Sequence, residues 1–203
     1  MIASRDGIEL EELSRDAFVV RGFLPPERCA RMIERVEGIG FEQALFGGVH
    51  GTRVKAVRDN DRVVEDDAAL AQELMERLES VLPVGWRARQ MMRRHAVGDH
   101  TLVGMNERLR WYRYTGEQRF RAHVDKPFGA ADGRVSCHTV LVYLSGALGG
   151  GETRLELAKG REVKVAPEVG ALLCFDHHLM HEGMPLVRGT KYVLRTDLMW
   201  RKD

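Results

Sequence analysis

His123-Val124-Asp125 is the first run in this chain whose residue types could do chemistry together. Side chains alternate across a strand, so positions 123 and 125 project to one side, where an imidazole and a carboxylate can share a metal. Alone the pair is weak evidence, because short His-x-Asp triplets arise by chance. A distant histidine, His181, lies in the run Phe175-Asp176-His177-His178-Leu179-Met180-His181-Glu182-Gly183. It would complete two histidines and one carboxylate, a facial set that suits non-haem Fe(II) and leaves positions open for an organic cosubstrate and O2. Zinc prefers a closed four-ligand site, so the open set favours iron. Lys191 follows His181 by ten residues. A buried cation there would bind the far carboxylate of a dicarboxylic cosubstrate. Arg195 lies on the same strand face and could assist. Read singly, each of these cations is an ordinary surface residue on an edge strand.

The elements that must carry these residues differ between the two halves. Pro25-Pro26 opens a helix in which Cys29, Met32, Ile33 and Val36 recur at three- and four-residue steps, and Gly38 and Gly40 end it. A second helix begins near Asp66-Asp67, carries Leu70, Leu74, Leu78 and Val81 as its stripe, and stops at Pro83. The second half reads as short strands: Arg108–Tyr114, Phe120–His123, Cys137–Leu144, Glu152–Leu157, Glu162–Val165, Ala171–Phe175 and Lys191–Met199. Glycine-rich turns separate them. The expected fold is mainly β with N-terminal α-helices, a double-stranded β-helix (jelly-roll, cupin-like) core. A single domain over 1–203 is expected, with helical support at 1–105 and the β-roll core at 106–203.

The 203 residues are 44% hydrophobic and 30% charged, enough for one sizeable core, and 31 basic against 30 acidic residues leave a net charge of +1. That balance gives no general reason to expect nucleic acid or an anionic membrane as partner. Nothing resembles a membrane span or a secretion signal. The three cysteines, Cys29, Cys137 and Cys174, are widely spaced, which favours small buried hydrophobes in a reducing cytoplasm over a disulfide framework.

From about Arg108 onward the chain resembles the 2-oxoglutarate/Fe(II) dioxygenases, in their prolyl 4-hydroxylase-like branch. The matching runs are Tyr112-Arg113-Tyr114, Phe120-Arg121-Ala122-His123-Val124-Asp125 and Val140-Leu141-Val142-Tyr143-Leu144. Gly149-Gly150-Gly151-Glu152-Thr153, the Pro167-x-x-Gly170 turn, Phe175, His181-Glu182-Gly183 and Gly189-Thr190-Lys191-Tyr192 follow in the family's order. Phe18-Val19-Val20 with Phe23-Leu24 is similar to the family's entry segment. The resemblance implies Fe(II), 2-oxoglutarate as cosubstrate and O2, with ascorbate as a candidate reductant. It implies His123, Asp125 and His181 as iron ligands, and Lys191 as the partner of the C5 carboxylate. Tyr143 would hydrogen-bond that carboxylate, Thr139 shares its strand face, and Tyr114 would line the cosubstrate side. The implied reaction is hydroxylation with release of succinate and CO2. Asp125 separates the chain from the related halogenases, which carry a small residue there.

Asn106, Arg110 and Tyr112 share one face of the strand ahead of the metal run and are candidate substrate contacts, though a solvated polar face reads equally well. Gly47 to Arg62 and Lys126 to Arg134 are candidate lids. His177 and His178 compete with His181 as ligand, and the lysine spacing favours His181. His50, His95 and His100 read as surface or structural residues, and His138 as facing away from Thr139. The substrate is a peptidyl residue such as proline, a free amino acid or another small molecule. Two rivals are a non-catalytic sensing module on the same fold and a cupin-like metalloenzyme without 2-oxoglutarate. The intact metal set, Lys191 and Tyr143 argue against them.

Overall fold

The computed structural model describes residues 2–5, 7–43, 58–82, 100–147 and 149–202. Two antiparallel sheets face each other, and Gly149–Gly150 with Leu186–Arg188 forms a small third one. The larger runs in the order Ile2–Arg5, Ile8–Ser14, Ala17–Arg21, Leu172–Asp176, Val135–Tyr143, Thr190–Lys202, Arg108–Thr115, Asp61–Asp66 and Glu42–Gln43, and His100–Met105 pairs with the end of Thr190–Lys202. The smaller runs Glu162–Val165, Thr153–Glu156, His181–Gly183 and Phe120–His123. Its last two strands place His181 directly opposite His123.

Strand alternation sorts the large sheet's side chains into two cores. Trp111, Val140, Val142, Leu172, Cys174, Leu194 and Leu198 join the cluster that holds the helix residues Cys29, Met32, Val36, Leu70, Leu74 and Leu78. The opposite parity, Tyr112, Tyr114, Tyr143, Leu173, Phe175 and Val193, packs with Leu155, Val165 and Leu186 inside the roll. Lys191 shares the inward parity of Val193 and faces the roll interior. Its nearest cross-strand partner is Tyr114.

Both expected helices form, at Pro26–Ile39 and Ala68–Val81. Pro26 suits the first helical turn because its missing N–H would have no partner there. The Gly40 N–H closes the other end on the Val36 carbonyl. The Asp67 side chain accepts from Leu70 N at 2.9 Å, which satisfies one of the helix's free N-terminal amides. The helix ends at Val81; Pro83, the expected stop, lies outside the described residues.

The 1–105 segment is not helical support alone. It supplies three N-terminal strands, Glu42–Gln43, Asp61–Asp66 and His100–Met105 to the large sheet. Residues 47–57 of the first lid candidate lie outside the described residues. The described part is no lid: Asp61 and Arg62 are in a strand, Asn60 is fully buried and Arg58 is buried. The second lid candidate is tied down at its base, where Phe128 N donates to Ser136 Oγ and Ser136 N to the Phe128 carbonyl.

Cys29 and Cys174 are free and buried, while Cys137 is half-buried. No helix among the described residues is long and apolar enough to cross a membrane.

Candidate active site

His123 closes the strand Phe120–His123, Asp125 follows in the loop, and His181 opens the strand His181–Gly183. The Asp125 amide is anchored on the His177 carbonyl at 3.0 Å, which turns the carboxylate back toward both imidazoles. One ligand-type atom from each of the three lies within 4.8 Å of the others. His181 Nε2 stands 3.5 Å from Asp125 Oδ2, and His123 Nε2 stands 3.8 Å from Asp125 Oδ1.

The other ring nitrogens define the tautomers. His123 Nδ1 lies 2.7 Å from the Arg121 carbonyl and His181 Nδ1 lies 3.0 Å from the Leu179 carbonyl. A carbonyl only accepts, so each Nδ1 carries the proton and each Nε2 presents a lone pair toward Asp125. Burial lowers the His181 pKa to about 4 against the pull of Asp125, which keeps the ring neutral. Burial likewise lowers His123. His123 Nε2 is buried with no hydrogen-bond partner, an orphan a metal would satisfy. Two neutral imidazoles and an ionised carboxylate are the donor set that Fe(II) accepts, so these residues fit the metal.

Asp125 is held from two sides. Thr139 Oγ1 donates to Oδ2 at 2.5 Å, and Arg195 Nη2 lies 2.9 Å from Oδ1. Burial would raise the Asp125 pKa, but Arg195, His181 and the Thr139 hydroxyl hold it below the ordinary carboxylate range. Arg195 also reaches Asp197 at 3.5 Å. Its guanidinium is therefore engaged by acidic residues at the metal site instead of standing free beside Lys191.

A cleft of about 420 Å³ opens beside the three ligands, lined by Tyr112, Tyr114, Thr139, Thr153, Lys191 and Arg195 among others. Lys191 is 2% exposed. Nζ donates to the Gly151 carbonyl at 2.7 Å and lies 4.4 Å from the Tyr114 ring centroid. Gly151 has a positive φ of 76°, and a Cβ there would come within 3.1 Å of Leu186 and 3.4 Å of the Lys191 stem. Glycine lets the backbone approach the ammonium.

The sequence candidates divide. His123, Asp125, His181, Thr139, Tyr114, Lys191, Arg195 and Tyr112 all meet at the cleft. The Tyr143 hydroxyl does not line it: it donates to Thr153 Oγ1 at 2.7 Å, and Thr153 reaches the cleft instead. Asn106 is buried outside the lining, with its amide on Asp197 at 3.5 Å and its carbonyl oxygen accepting from Arg108 N at 3.0 Å. Arg110 pairs with Asp197 at 3.4 Å. His177 is buried 3.5 Å from Asp197, His178 is exposed, and His138 packs 5.6 Å from the Trp200 ring. Asp197 was not singled out from the sequence, although its two-residue step from Arg195 puts it on the same face.

Residues 109–196 match the model of the 2OG-Fe(II) oxygenase superfamily. No curated protein matches the chain. A Pseudomonas putida prolyl-4-hydroxylase superposes with a TM-score of 0.64 at 20% identity, covering 93% of this chain and 94% of that one. A prolyl hydroxylase from Trichoplax adhaerens, in complex with a hypoxia-inducible-factor peptide fragment, gives 0.63 at 19%, covering 91% and 84%. The viral collagen prolyl hydroxylase of Paramecium bursaria Chlorella virus-1 gives 0.59 at 17%, covering 90% and 95%. These likenesses establish a shared double-stranded β-helix fold. With the superfamily match over residues 109–196, they make the chain similar to the 2-oxoglutarate/Fe(II)-dependent oxygenases.

Proposed function

We propose that His123 and His181, through Nε2, and Asp125, through one carboxylate oxygen, hold Fe(II), and that Lys191 binds the far carboxylate of 2-oxoglutarate. The observation that carries this reading is Lys191 itself. A buried ammonium is costly unless paired, yet among the described residues it meets only a carbonyl and a tyrosine face. A dicarboxylate anchored there extends along the cleft toward the metal ligands. Tyr114 shields the pair from water, and Thr139 and Arg195 keep Asp125 ionised and aimed. The bound metal, with 2-oxoglutarate and O2, supplies oxidising chemistry that yields succinate, CO2 and a hydroxylated product.

The substrate classes are a peptidyl residue such as proline and a free amino acid or other small molecule. The first is supported by the prolyl hydroxylases with which the chain superposes, one of them carrying a peptide. The second is supported by the enclosure of the cleft, whose lining residues Tyr112, Tyr114, Thr139, Thr153 and Lys191 are all buried. Substrate-dependent succinate release, compared between proline-rich peptides and free amino acids, separates them.

The cosubstrate assignment is tested by anaerobic Fe(II) titration with 2-oxoglutarate, followed by the weak visible charge-transfer band. The band should form in the wild type and vanish in Asp125→Ala. Lys191→Ala should weaken 2-oxoglutarate binding roughly tenfold to a hundredfold, the range for a hydrogen bond to a charged group, with Fe(II) binding largely kept. Equal loss of both ligands from a folded variant would refute the role of Lys191.

A further inference from the structure

A second cation packs against two cleft-lining rings and, among the described residues, has no carboxylate partner. Arg58 is 8% exposed, and its Nε is buried without a hydrogen-bond acceptor. Its guanidinium carbon lies 5.4 Å from the Phe120 ring centroid and 5.9 Å from that of Tyr112, both cleft-lining residues. Phe120 in turn stacks on His123 with ring centroids 3.8 Å apart. Arg58 thus stands one aromatic ring away from the metal ligand His123.

The acids around Arg58 are engaged elsewhere. Asp59 accepts from Arg119 N at 2.7 Å, Asp61 pairs with Arg113 at 3.0 Å, and Asp197 with Arg110 and Arg195. Arg62 adds to the excess. It lies opposite Tyr112 across the strand pair, and its pKa is lowered by burial and then by the charges of Arg58, Arg110 and Arg108. Crowded guanidiniums with too few acids are stable where an anion joins them, and their planar forks match a carboxylate.

We propose that Arg58, with Arg62 beside it, binds the carboxylate of the substrate, which makes that substrate a small carboxylic acid such as a free amino acid. This rests on the reading of the cleft as a 2-oxoglutarate oxygenase site and narrows its substrate class. The acid's head group sits against Arg58, and its carbon chain crosses the Phe120 face toward the metal ligands. Lys191 keeps the cosubstrate's carboxylate at the other end, so two anions share the cleft without competing.

The test is isothermal titration of the metal-loaded, 2-oxoglutarate-bound protein, without O2, with the common free amino acids, their N-acetyl forms and the matching carboxamides. At least one acid should bind, with its carboxamide about tenfold weaker or more, as expected for loss of a charged hydrogen bond. Arg58→Met should weaken the acid by a similar factor and abolish the difference between acid and carboxamide, with melting temperature and circular dichroism verifying the fold. Equal binding of acid and carboxamide to the wild type would overturn the proposal without reference to any variant. So would discrimination that survives in folded Arg58→Met, or binding of the carboxamides alone. A protein that takes no 2-oxoglutarate loses both readings; one that takes it and then ignores every carboxylate loses only this one.

Discussion

At the scale of single residues, the site rests on buried charge. Lys191 is pulled down to about 8 by burial, against the attraction of Glu152. Its unfolded value is near 10.5, so between these values the unfolded chain binds the extra proton and this group makes the ligand-free fold more stable as pH rises. A bound carboxylate favours the ammonium, so binding 2-oxoglutarate above pH 8 must draw in a proton. The dissociation constant should be flat below about pH 7.5 and rise toward roughly tenfold per pH unit above 8. Calorimetry on Mn(II)-loaded protein checks this. Lys191→Arg, charged throughout, should give a flat profile over the same range. A flat wild-type profile would remove Lys191 as the carboxylate's partner.

At the scale of elements, the site depends on turns that set how closely the sheet strands and the first helix approach. Gly170, in the turn before the strand Leu172–Asp176, has φ of 76°, and its carbonyl accepts from Leu24 N at 2.9 Å. A Cβ there would lie 2.0 Å from the Leu24 carbonyl oxygen. Gly170→Ala should therefore cost about 3 kcal/mol or more, lowering the melting temperature by roughly 6–12 °C. Gly133 has φ of 84° with nothing within 4 Å of a Cβ, and Gly133→Ala should cost only about 1 kcal/mol. Calorimetric melting of both variants separates backbone strain from the clash. Equal effects would mean that the Leu24 contact relaxes freely.

At the scale of the whole molecule, the family match covers 109–196, but the fold does not close there. Val140, Val142, Leu172, Cys174, Leu194 and Leu198 are fully buried on the face that the two helices cover. The strand Ala17–Arg21 also pairs with Leu172–Asp176 and protects its edge. A fragment of residues 106–203 should therefore not fold alone. Circular dichroism and a thermal melt check this: a cooperative transition from the isolated fragment would show that the outer face tolerates water.

The local order of the site was legible in the sequence, and its long-range contacts were not. His123, Asp125, His181 and Lys191 stood out because their types and spacing are local or family-marked, and the strands Phe120–His123 and Glu162–Val165 were read to the residue. The strands Ile8–Ser14 and Asp61–Asp66 were missed, because they alternate weakly and carry three acidic residues each, and only pairing with distant strands makes them sheet. Alternation along a strand states which face a side chain leaves by; it cannot state what waits across the gap. That Arg195 meets Asp125, that the Tyr143 hydroxyl is taken by Thr153, and that Arg58 is buried against Phe120 were decided by packing between segments far apart in the chain. Side-chain direction is a local property of the backbone, whereas burial and pairing are set only when the two sheets close on each other.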